Sequence, residues 1–128
     1  MISRILLRGS SIETGTSNLT SVILFPPSAW GDTLGGVPNI ARSALGQDAA
    51  GDLLFAGSMH ALPRDMAAAL LAARVIRAME FDINPYWVQL ASTPHPGGVL
   101  VAGIPGQKRP GDQFVVGWTR DFVSVLAA

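Results

Sequence analysis

Gly, Pro, Ser, Asn and Asp cut this chain into apolar runs that, with one exception, are too short for anything but strands. The runs are Ile2 to Arg8, Leu19 to Phe25, Leu53 to Phe55, Tyr86 to Ala91, Val99 to Ile104, Phe114 to Trp118 and Phe122 to Leu126. Each is rich in β-branched or aromatic residues, which fit a pleated surface, and each ends at turn formers. "SVILF" and "VLVAGI" are nearly continuous in apolar residues, which predicts strands covered on both faces; "VQLAS" and "FVSVLAA" alternate only in part. The pattern predicts a mainly β (α+β) fold, a β-sandwich or barrel-like sheet.

The exception is Pro63 to about Glu80, which predicts one long helix packed on the sheet. Pro63 suits the first helical position, where its missing N–H costs nothing, and Asp65 lies in the first turn, where the helix dipole favours a carboxylate. Leu71, Val75 and Met79 follow Ala67 at fourfold spacing, with Met66 and Leu70 on a flank that also carries Arg74 and Arg77. Leu70, Leu71, Val75 and Met79 are therefore expected to be buried, and the alanines between them let a second element approach closely. Pro26 to Asp52, by contrast, reads as a long irregular loop with at most a helical turn or two at Asn39 to Leu45. Loops of that length are commonly functional or bound to a partner.

At 128 residues the chain suits a single domain, 1–128. Only 14% of its residues are charged, against roughly 25% in an ordinary soluble domain, and its mean hydropathy is +0.35. A small domain normally covers its large relative surface with charge, so this deficit predicts a surface partly covered by another chain. Trp30, within the irregular loop, and Phe122, Val123, Val125 and Leu126, in the last apolar run, are the interface candidates. An apolar strand left at a free edge is an aggregation hazard that pairing removes.

Nine basic residues balance nine acidic ones, and no segment clusters Lys and Arg in the way a nucleic-acid backbone requires. The absence of cysteine removes disulfides, thiolate metal sites and cysteine nucleophiles. Neither a signal-peptide core nor a membrane-spanning run is present, which predicts synthesis in a cytoplasm and no membrane partner. His60 and His95 lack further ligands at matched spacing, so no metal is expected. Ser58 and His60 in "AGSMH" only superficially resemble a nucleophile elbow, since no second glycine follows. "LGGVPNIARSALG" lacks the residues of a phosphate cradle. No catalytic residue and no cofactor is expected, and "SMHALP" reads as a helix entrance with a bystander histidine.

Between Phe55 and Glu80, Ala56-Gly57, Leu62-Pro63, Ala67 to Leu71 and Val75 form a pattern of a strand ending in "AG", a turn, "LP", and a helix of alternating alanine and leucine. It resembles small structural proteins of tailed bacteriophages, among them capsid decoration and head-fibre proteins, but continues through Arg74 and Arg77 where a glycine often closes that helix. The resemblance implies a virion location, a role in binding capsid or tail subunits, and homo-oligomers such as trimers. The rival expectation is a small enzyme or ligand-binding module whose pocket is closed by the 26–52 loop, with Trp30 as a stacking platform. A toxin or immunity-type partner protein is a third.

Overall fold

The structure is a computed structural model that describes residues 3–7 and 36–117. Trp30, Phe122, Val123, Val125 and Leu126, and the expected strands Leu19 to Phe25 and Phe122 to Leu126, lie outside the described residues. Those described form a sheet-rich α+β arrangement of antiparallel sheets with one α-helix. Strands β1 (Ser3–Leu7), β2 (Ile40–Asp48), β3 (Leu53–Ala61) and β4 (Val75–Glu80) make a four-stranded sheet in the order β1-β3-β2-β4. Helix α1 (Pro63–Ala72) joins β3 to β4, and β5 (Ala91–Ser92) pairs with β6 (Val101–Ala102) in a separate ribbon, followed by a 3-10 helix at Gly111–Phe114. The four-stranded sheet does not close into a barrel; β1 and β4 are its edges among the described residues.

Two expectations are corrected here. The 26–52 segment is not wholly irregular: from Ile40 to Asp48 it forms β2, an internal strand, where Asn39 to Leu45 was expected to be helical at most. A tight hairpin makes this possible. The Asp48 carboxylate accepts from the backbone N–H groups of Ala50 and Asp52, each at 2.9 Å, and Gly51 takes the left-handed conformation that closes the turn (φ 89°).

Nor does the expected 63–80 helix reach Glu80. It ends at Ala72, and Val75–Glu80 is strand β4, antiparallel to β2. At its start the Asp65 carboxylate accepts from the N–H of Leu62 at 3.2 Å, half of a capping box, because Leu62 offers no side-chain oxygen in return. At its end Arg74 is left-handed (φ 62°), a conformation that breaks the helical path, and β-branched Val75 and Ile76 then favour the strand. A spacing of four suits both periods in a regular strand, but β4 is bulged beside Val75, so Val75 shares the helix side with Ala78 and not with Met79.

The sheet is covered on both faces. Met66, Ala67 and Leu70 of α1 pack with Ala44, Leu54, Ala56, Ala61, Val75 and Ala78. Gly46 is what lets β4 and the helix come so close: a Cβ there would stand 2.6 Å from Val75 Cγ1 and 3.3 Å from Leu70 Cδ2. On the other face Ala41, Val88 and Ile104 are buried with Phe55, Met59 and Leu90 against them, so the 81–117 segment forms an outer layer. The expected strands there are short or absent. Tyr86 and Trp87 lie in a turn held by Asn84, strand structure within Val99 to Ile104 is confined to Val101–Ala102, and Phe114 closes the 3-10 helix.

Of the four residues expected to be buried, Leu70 and Val75 are, Met79 is half-buried, and Leu71 is 46% exposed. Leu70→Ala should therefore lower stability by roughly 2–5 kcal/mol and Leu71→Ala by about 1 kcal/mol at most, read as urea midpoints. Arg74→Gly, which removes the left-handed penalty, should raise stability by about 1 kcal/mol, read as a higher urea midpoint.

Candidate functional site

The densest buried polar chemistry among the described residues lies at one end of the four-stranded sheet, where β2 begins and β3 and β4 end. Arg42 of β2 projects on the face that carries Ala44 and is completely buried. Its Nε donates to the carbonyl of Ala61 at 2.8 Å, its Nη2 to the carbonyl of Pro38 at 3.0 Å, and its Nη1 to Glu80 Oε1 at 2.9 Å. The Glu80 side chain is only 9% exposed, so this is a buried ion pair. One guanidinium thus ties the entry to β2, the exit from β3 and the end of β4. Its planar fork of donors suits three acceptors in different directions, which an ammonium could not serve in the same way.

Two serines complete this end of the sheet. Ser43 Oγ accepts from the N–H of Asp82 at 3.2 Å, while backbone bonds from Ser43 to Asp82 and from Phe81 to Ser43 carry the β2–β4 pairing past Glu80. Ser58 is buried; its hydroxyl donates to the carbonyl of His60 at 3.0 Å and accepts from the His60 N–H at 3.2 Å. This loop of bonds braces a bulge. Two steps along β2, from Ile40 to Arg42, correspond to three along β3, from Ala61 to Ser58. Ser58 to Ala61 are therefore the last, bulged part of β3, and the helix entrance is Leu62-Pro63 alone, which corrects the reading of the whole of "SMHALP" as a helix entrance.

The hydroxyl of Ser58 is thus bonded to backbone on both sides, not to the imidazole of His60. His60 and His95 are both exposed, His95 in a turn where Thr93 Oγ1 donates to its carbonyl at 3.0 Å. Among the described residues no three His, Cys, Asp or Glu side chains gather as a metal site, and no helix is long and apolar enough to cross a membrane.

The second notable feature is a surface. Tyr86, Trp87, Val99, Val101, Val115 and Val116 of the outer layer are all exposed. The layer beneath them is braced by one side chain: Gln107 Oε1 accepts from the N–H groups of Leu90 and Ile104, each at 3.3 Å, and its Nε2 donates to the carbonyl of Arg109 at 2.8 Å. The Arg109 guanidinium lies 5.8 Å from the centre of the Tyr86 ring, within cation–π range. Val99 and Val101 were expected in a strand covered on both faces, and Val115 and Val116 in a further strand; instead β6 is two residues long with both of them exposed, and the other three valines lie outside any sheet.

No protein-family model, curated protein or solved structure matches the chain. Its function must be argued from the sheet end and the outer layer.

Removing one partner of the buried pair strands the other charge. Arg42→Met should therefore lower stability by about 3–5 kcal/mol, and adding Glu80→Leu should recover most of that loss. A double-mutant cycle in guanidinium chloride measures both. His60→Ala and His95→Ala should each fall within about 0.5 kcal/mol of the starting protein in the same titration.

Proposed function

We propose that the chain is an assembly protein, held by contacts with other protein subunits, and that its class is the structural bacteriophage protein implied by the resemblance between Phe55 and Glu80. On this reading it binds capsid or tail subunits in a virion and needs no cofactor. The observation that carries the assembly part is the outer layer: large apolar side chains stand exposed on a well-braced frame, in a chain with few charges to offset them. The virion part rests on the resemblance alone. Ala56-Gly57 lie in β3 and Leu62-Pro63 open α1, but Val75 belongs to β4, and a strand leading into a helix is common to many folds. The sandwich belongs to the same proposal, with the β5–β6 ribbon as a second sheet over β2 and β3.

Lys108 is the chain's one lysine and is exposed in the outer layer, so a cross-link mapped to a lysine side chain of this protein reports on that layer. In cells that express the chain, gradient fractions holding assembled particles should contain it, with Lys108 linked to a second structural protein. Recovery of the chain wholly outside particles, with Lys108 unlinked, overturns the reading.

A specific observation favours a second reading, a ligand-binding or enzymatic module. A buried ion pair seldom stabilises a fold more than apolar residues of the same shape, so its presence asks for another reason. Arg42 and Glu80, with Ser43, Ser58 and Asp82 close by, concentrate polar groups at one sheet end. A saturable rise in Tm with one class of small molecule, abolished by a substitution at Asp82 that leaves the fold intact, decides for this reading.

A further inference from the structure

We infer that β4 is the edge through which two copies of this chain join, paired antiparallel about Ala78 so that their four-stranded sheets become one. The inference rests on the assembly reading and adds to it the partner and the strand. Among the described residues β4 is bonded on one side only, to β2. The Phe81 N–H donates to the carbonyl of Ser43, and in an antiparallel ladder such inward-bonded pairs alternate. Leu45–Met79 and Gln47–Arg77 therefore bond inward, and Ala78 between them turns its N–H and carbonyl outward. Outward backbone groups on an edge are what an added strand bonds to. Ile76, 61% exposed, gives the same strand an apolar side chain to cover.

Edge strands are commonly guarded by a bulge or a charge, and here neither guards the middle of the strand. The bulge lies at its start, beside Val75. Arg77 stands opposite Gln47 of β2, and its Nε and Nη2 both donate to Gln47 Oε1, so its guanidinium leans back over the sheet, away from the edge. The order of charge along the strand then selects a second copy. Exposed Arg74 and partly exposed Asp82 stand four residues before and after Ala78, and backbone bonds from Ser43 to Asp82 and from Phe81 to Ser43 carry the strand as far as Asp82. In a two-fold antiparallel pair centred on Ala78, residues equally far before and after it stand opposite. Arg74 of each copy comes beside Asp82 of the other, its long side chain spanning the extra residue of the bulge, and Arg77 faces Met79. Centred on Arg77 instead, the pair would set two guanidinium groups against each other. A foreign strand matches both ends only if it has the same order, a cation before its centre and an anion after it.

Light scattering behind size exclusion, on the full chain at micromolar concentration, tests this. The expected mass is twice that of the 13.4 kDa chain. Arg74→Glu and Asp82→Lys each set like charges together at both ends of the joined strands, and each alone should halve the mass at a concentration where the starting protein is dimeric. Mixed in equal amounts, the two variants bring opposite charges together again and should recover the dimer, which an unfolded variant could not do. Ile76→Lys, at an exposed position of the same strand, should also give the monomer with unchanged far-ultraviolet circular dichroism, and it carries the test should Asp82→Lys misfold. A wild-type monomer, a trimer, a dimer that survives Arg74→Glu and Ile76→Lys, or a mixture of the two folded charge variants that stays monomeric overturns the inference. The assembly reading is decided separately, by whether Lys108 is linked to a different protein.

Discussion

The sheet depends on a positive charge that has no contact with water. Arg42 lies inside the protein where β2, β3 and β4 meet, and three carbonyl or carboxylate oxygens from different parts of the chain converge on it. Burying a guanidinium is costly unless each of its faces finds an acceptor, so the geometry of Pro38, Ala61 and Glu80 is fixed together or not at all. An apolar plug of the same volume would tolerate a slipped register; a buried cation with directional donors would not. The pair is best understood as an alignment device, which brings the first residues of β2 opposite the last residues of β3 and β4.

From that fixed end the sheet runs toward small residues. Ala41, Ala44, Ala56 and Gly46 give little apolar volume of their own, and their value lies in what they admit: α1 and β4 on one side, the Val88 and Ile104 layer on the other. Packing here is achieved by close approach of backbones, not by large side chains. Large-to-small changes at Met66 or Leu70 therefore remove much of what fills the helix side.

The same economy explains what was legible in the sequence. β1, the start of β3, the entrance of α1 at Pro63 and the sheet-rich class were readable, because β-branched runs, turn formers and a helix-starting proline are local signals. β2 was not, since "IARSALGQD" is built of alanine, glycine and polar residues with weak strand preference, and its hairpin partner and buried arginine make it a strand. The confusion of β4 with helix came from the fourfold spacing of Leu71, Val75 and Met79, which reads as a helical stripe; in β4 a bulge puts Val75 on the side of Ala78 instead, and Ile76 beside Val75 was the available hint of a strand. Arg42 could not be singled out, because nothing near it in sequence marks it as buried: Glu80 lies 38 residues away. The exposed valines were misjudged for the converse reason, that hydrophobicity predicts burial only if a sheet forms to provide it.

The bulge near His60 sets which way the chain turns next. Before it, the even-numbered residues Leu54 and Ala56 face the helix while Phe55 and Met59 face the outer layer; after it, Ala61 faces the helix. One supernumerary residue has reversed the parity of the strand. Were every residue kept and the bulge ironed out, simple alternation would turn Ala61 toward the outer layer and launch α1 from the wrong side of the sheet; loss of one residue between Ser58 and Ala61 would instead leave a regular strand with Ala61 still facing the helix. The side of the sheet from which the molecule's one described α-helix starts is thus tied to the odd count between Ser58 and Ala61, a feature that neither composition nor hydropathy registers.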